Sequence, residues 1–152
     1  MSPFLAVVLA TVLFFALAIM GLGALSYYTD TDVIAVPGLG QAPGVLAMGA
    51  AVAAFSGTLW TTVRPARPSF TPVLITALAT PLAHLFVLWL VLLVTGSGLL
   101  VATTVAGDLV RGGFSLVLLL AAAVAAWGGV ALRRTRSTGP QWPWERRADD
   151  ED

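Results

Sequence analysis

The sequence predicts an all-α membrane protein, an antiparallel bundle of four transmembrane helices, and three observations carry that expectation. Apolar residues make up 58% of the 152-residue chain and charged residues only 11%, against roughly 25% charged in an ordinary globular domain. A soluble fold of this size has to cover its surface with charge, whereas a hydrocarbon solvent removes that demand. Four apolar stretches cover about residues 4–26, 44–63, 72–95 and 114–132, and about 20 residues rising 1.5 Å each suffice to cross a ~30 Å hydrocarbon core. Finally, the arginines are segregated: the second connection and the tail hold all but Arg111.

The first span, Phe4 to Ser26, carries no charge, and Ser2-Pro3 before it supplies a helix cap and a first helical position. Ala24-Leu25-Ser26 resembles a small-x-small cleavage site. No basic residue precedes the apolar run, however, and the run is longer than a signal-peptide core, so a retained span is expected. The second span runs from Gly44 to Val63. The third runs from Pro72 to Thr95, with Thr71-Pro72 as its start signal, and the fourth from Phe114 to Leu132. Residues 1–132 are thus expected to form the four-helix transmembrane domain. Residues 133–152 form a tail whose Pro residues and charge blocks argue against a packed fold and predict disorder.

Orientation follows from charge. Arg64 and Arg67 in the short second connection and five arginines in the tail lie on one side of a four-span chain, and the two long connections hold only Arg111. The positive-inside rule therefore puts both termini in the cytoplasm of a multi-pass protein of the plasma (inner) membrane. The two outer connections contain stretches rich in β-branched residues, Asp32–Val36 and Leu99–Val105. Two such stretches on one side are compatible with a small extracellular two-stranded ribbon, or with an extended loop and a ragged helix extension.

His84 is the lone histidine and the lone titratable side chain well inside a predicted span, about twelve residues or roughly 18 Å along it. An intramembrane ionisable group is costly and is a functional candidate by default. Pro81, three residues earlier, has no N–H and leaves the Ala77 carbonyl without its helical donor. Thr76, Thr80 and His84 fall at i, i+4, i+8 and share a face. Thr11 in the first span and Ser56 in the second lie at depths near that of Thr80, so a polar layer across the bundle is an expectation. The functional reading is a relay or ligand cavity. The structural one is a histidine donating one interhelical hydrogen bond, among Ser and Thr bonded to their own helices.

Ala121, Ala125 and Gly129 recur every four residues on the fourth span, as do Gly49 and Ala53 on the second. Such rows admit close backbone approach, and packing within the bundle is the expected use, with a docking face for another protein as the alternative. Tyr27, Tyr28 and Trp60 lie near span ends, where amphipathic rings favour the interface. Trp89 is deeper and is expected between helices. Arg64, Arg67, Arg133, Arg134 and Arg136 are candidate contacts to lipid headgroups. Trp142-Pro143-Trp144 in the tail is a candidate partner-binding element, or rests on the membrane surface.

Much is excluded. Cysteine is absent, which rules out disulfides, thiol chemistry and Cys-ligated metal. Balanced charge offers no nucleic-acid-binding face. Gly38-Leu39-Gly40 with Gly44 does not make a dinucleotide fingerprint, and no phosphate loop, zinc motif or nucleophile–base pair occurs. No cofactor, no metal and no enzymatic activity are therefore expected. The short N-terminus, Thr29-Asp30-Thr31-Asp32, the Arg-Pro second connection and the arginine tail with Pro140-Gln141-Trp142-Pro143-Trp144-Glu145 together resemble uncharacterised small four-span membrane proteins of GC-rich Gram-positive bacteria. That resemblance implies no particular activity. Small multidrug exporters share the size but need a glutamate in the first span, and four-span quinone-reducing thiol enzymes need a Cys pair; this chain has neither. The expected role is a non-enzymatic accessory or scaffold subunit in the bilayer, bound to another membrane protein or to itself. The alternative is a small transporter or permeation pathway using His84 beside Pro81.

Overall fold

The computed structural model describes residues 2–30, 40–65 and 69–135. Five helices follow one another: α1 (Pro3–Thr29), α2 (Ala42–Val63), α3 (Thr71–Val94), α4 (Gly98–Arg111) and α5 (Phe114–Thr135). No strand occurs among the described residues. Four of them, α1, α2, α3 and α5, are long and apolar enough to cross a membrane.

The caps follow from local chemistry. Ser2 Oγ accepts the Leu5 amide at 3.2 Å, Pro3 opens α1, and Asp30 closes it in the left-handed region at φ 50°. At the start of α3 the cap differs from the expected one. Thr71 is itself helical, and the hydroxyl of Ser69 takes its amide N–H at 3.2 Å. The end of α3 is a Schellman turn, in which the Gly96 amide donates to Leu93 O and the Ser97 amide to Leu92 O. That turn needs a residue at positive φ, and Gly96 supplies it at 83°.

The long helices form a ring in the order α1, α2, α3, α5. The backbones of α1 and α3 do not approach each other, while α2 and α5 meet across the other diagonal. Small residues set the α1–α5 register. Gly129 lies against Ala10, Gly128 against Leu13, Gly21 against Val117 and Gly113 against Leu25, so the two helices run antiparallel. The larger core fills the space between α1, α2 and α5 around Phe14, Phe55, Leu59, Leu118 and Val130. Its centre is the stacked pair Phe14–Phe55, with ring centroids 4.7 Å apart and planes 14° from parallel. A second core of Ala47, Leu88, Leu92, Ala102, Leu109 and Phe114 lies toward the opposite end, beneath α4.

α4 corrects one expectation. Leu99–Val105 is helical rather than one strand of a ribbon; the other half, Asp32–Val36, lies outside the described residues. The reason is visible in the spacing. Ala102, Val105 and Leu109 recur at helical intervals, and that face packs into the second core. Tertiary burial outweighs the modest strand preference of its Val and Thr residues. Trp89 Nε1 ties α4 to α3 by donating to Thr103 Oγ1 at 3.3 Å. Replacing Thr103 by Val is expected to cost about 0.5–1.5 kcal/mol, the net worth of one such bond. It should loosen α4 alone, read as faster amide exchange across residues 98–111 with exchange in α1 and α2 unchanged.

Charge separates along the bundle. Arg64, Arg133 and Arg134 cluster where α2 and α5 end and α3 begins. Arg133 Nε donates to Val63 O at 3.4 Å, and the Arg134 guanidinium lies 4.9 Å from the centre of the Phe70 ring. Phe70 in turn stacks on Trp127, with centroids 6.4 Å apart. The described carboxylates, Asp30 and Asp108, belong to the other end, at the close of α1 and in α4.

Candidate functional site

α3 carries four of the six residues singled out by the sequence, and these four are buried: Thr76, Thr80, Pro81 and His84. The 3.6-residue repeat puts the two threonines and His84 on one stripe. The hydroxyls are used locally. Thr80 Oγ1 donates to Thr76 O at 2.8 Å and Thr76 Oγ1 to Pro72 O at 3.4 Å. Ser56 on α2 does the same, to Val52 O at 2.9 Å and Ala53 O at 3.2 Å. Thr11 is on α1, whose backbone does not approach α3, and its buried hydroxyl has no hydrogen-bond partner. None of the bonds made by Thr76, Thr80 and Ser56 crosses to another helix. The six residues therefore divide among three helices and do not build a hydrogen-bonded layer.

His84 is 3% exposed, and its Nδ1 is buried without a hydrogen-bond partner. No carboxylate occurs in any of the four long helices, so the imidazole has no acid within the bundle to orient it or share its proton. Among the described residues, no group of three His, Cys, Asp or Glu lies close enough to hold a metal ion.

Beside this stripe, Pro81 lines a groove of about 310 Å³ between α3, the end of α4 and α5, together with Leu82, Leu85, Ser115 and Leu119. Ser115 Oγ is buried there and unpartnered. A hydroxyl one residue into a helix is commonplace, and no local signal in the sequence separates Ser115 from a capping serine. The groove is otherwise apolar.

The small-residue rows separate. Ala121, Ala125 and Gly129 are buried between α1, α2 and α5. Gly49 and Ala53 are exposed, and a Cβ added to Gly49 would meet nothing within 4 Å. The α5 row thus faces the interior of the bundle and the α2 row faces outward. Of the arginine candidates, Arg64, Arg133 and Arg134 are described above, whereas Arg67, Arg136 and the Trp142-Pro143-Trp144 element lie outside the described residues.

A model for a family of unknown function, DUF6121, matches residues 3–152. The chain belongs to DUF6121. Comparison of this DUF6121 chain with curated proteins and with solved structures gives no match. The family carries no assigned activity.

Proposed function

We propose that this DUF6121 chain is an integral protein of the bacterial plasma membrane that crosses it four times, with both termini in the cytoplasm, and serves as a non-enzymatic accessory or scaffold subunit. One observation carries the membrane part. Only 28–39% of the residues in the apolar window of each long helix are buried, and the outward positions are residues such as Met20, Leu74, Phe86, Leu90, Leu120 and Trp127. In water that belt would be an aggregation surface, and in hydrocarbon it costs nothing. The arginines at the end bearing Arg64, Arg133 and Arg134 favour that end in the cytoplasm.

The accessory role rests on the interior. The hydroxyls of Thr76, Thr80 and Ser56 bond to their own helices and the cores are filled with apolar side chains. Transporters and pumps place paired ionisable groups in their spans, and these helices contain no carboxylate. The open face of α2 at Gly49, Ala53 and Gly57 supports contact with a helix of another membrane protein or of a second copy. One observation favours a transport reading instead: His84 Nδ1 is buried and unpartnered next to the backbone gap left by Pro81.

Affinity purification in mild detergent, followed by identification of co-purifying proteins, tests the proposal. A specific membrane partner should be recovered equally with wild type and His84→Gln. Recovery of the chain from the soluble fraction without detergent would remove the membrane reading. Loss of solute flux in proteoliposomes on His84→Gln, with no partner recovered, would replace the accessory role by transport. Removal of residues 139–152 assigns any partner to the tail or to the helices.

A further inference from the structure

At the basic end of the bundle, Trp60, Thr61, Arg64 and Pro65 line a cavity of about 450 Å³ that opens at the close of α2. It sits at the depth where a headgroup would sit, because α2 runs 22 residues, Ala42–Val63, or about 33 Å at 1.5 Å per residue, and Arg64 is its C-cap. The lining is chemically divided. Arg64 supplies a guanidinium with forked N–H donors. Trp60, 39% exposed, presents the amphipathic ring that favours the hydrocarbon–headgroup boundary. The Thr61 hydroxyl donates its proton to Thr58 O at 2.8 Å, so toward the cavity it can only accept.

The charge around the cavity is one-sided. Arg64, Arg133 and Arg134 share this end, and the described carboxylates, Asp30 and Asp108, lie at the other. Among the described residues nothing anionic answers Arg64. An occupant that fits is an anion carrying a phosphate for the guanidinium, a hydroxyl that donates to Thr61 Oγ1, and an apolar portion against Trp60 and Pro65.

We infer that this cavity binds the headgroup of an anionic phospholipid bearing free hydroxyls, of the phosphatidylglycerol class. The phosphate lies on Arg64, the headgroup hydroxyl on Thr61, and the acyl chains run down the apolar surface of the bundle. The inference rests on the membrane reading above and adds a site to it. One basic contact near an anionic surface corresponds to about a five-fold preference.

Native mass spectrometry of the full chain in detergent, titrated with single lipids, reads that preference directly. Phosphatidylglycerol is expected to bind about five-fold more tightly than phosphatidylcholine. Arg64→Gln should abolish the difference and Arg64→Lys should keep most of it. Thr61→Val should weaken phosphatidylglycerol while leaving phosphatidic acid, which lacks the headgroup hydroxyls, unchanged. Equal binding of the two wild-type lipids, or a preference that survives Arg64→Gln, overturns the site. Displacement of the lipid by millimolar inorganic phosphate would make it a site for a soluble anion and overturn the lipid assignment. A preference that emerges only after residues 149–152 are removed would make the chain's own acidic end the occupant. Because Arg64 is exposed, Arg64→Gln should melt with the wild type. A chain that stays dispersed without detergent fails the membrane reading itself, whereas a detergent-dependent chain without lipid preference fails only this site.

Discussion

Phe14→Ala is expected to destabilise the folded bundle by about 3 kcal/mol, the low end of the range for truncating a buried phenylalanine. Phe14 and Phe55 are both fully buried and stack in the centre of the larger core, where α1 meets α2. In water part of the cost of such a change is lost hydrophobic transfer. In lipid that part vanishes, because acyl chains solvate an exposed phenylalanine as well as the protein interior does. What remains is the void and the lost dispersion contacts around it. Reversible unfolding of the purified protein in mixed micelles, titrated with denaturing detergent, measures the loss. The Phe14→Ala/Phe55→Ala cycle should show a coupling of about 0.5–1.5 kcal/mol for the ring pair. A cost below about 1 kcal/mol for Phe14→Ala would mean that the two rings do not hold α1 to α2.

The second large effect comes from adding atoms. Gly129→Val is expected to cost about 2–3 kcal/mol, at the upper end of overpacking. A Cβ at Gly129 would lie 3.0 Å from Ala10 Cβ and 3.3 Å from Leu59 Cδ2. The Leu59 methyl can rotate away, but the Ala10 Cβ is fixed to the backbone of α1, so the helices must separate. A valine adds two further methyl groups to the same gap. Gly49→Ala is the matched control, since nothing lies within 4 Å of its Cβ. It should be neutral or stabilising by up to about 1 kcal/mol from helix propensity. The same unfolding titration reads both. Equal effects of the two substitutions would mean that the α1–α5 contact is not made through Gly129.

The start of α1 was legible because it rests on local chemistry: Ser2-Pro3 caps it where the residues say it should. Thr71-Pro72 marked the start of α3, although the cap position falls on Phe70, and α2 begins at Ala42, two residues ahead of the expected Gly44. The burial of His84, Thr76 and Thr80 on one stripe follows from their four-residue spacing. Their failure to join Thr11 and Ser56 does not follow from anything local. Equal depth in a membrane says nothing about which helices are neighbours, and in the ring order found here Thr11 on α1 faces α3 across a diagonal without touching it. Ser56 is on α2, next to α3, but its hydroxyl, like those of Thr76 and Thr80, returns to its own helix's carbonyls, which are always within reach.

The amino-acid sequence by itself determined the solvent this chain is suited to and the lengths of the helices that meet it, because both depend only on how many consecutive residues are apolar. Tertiary structure alone decided which sides of α1 and α2 turn inward. α1 is apolar around its whole circumference, so no stripe marks its inner face, and the choice falls to shape: Gly129 goes inward because Ala10 and Leu59 close over it, and Gly49 stays outside because nothing does. The same holds for α4, whose Val- and Thr-rich sequence suits a strand or a helix equally until its Ala102 and Leu109 face finds the second core. Where a helix has no polar and apolar faces to sort, steric fit between small and large side chains carries the information that hydrophobic patterning carries in water.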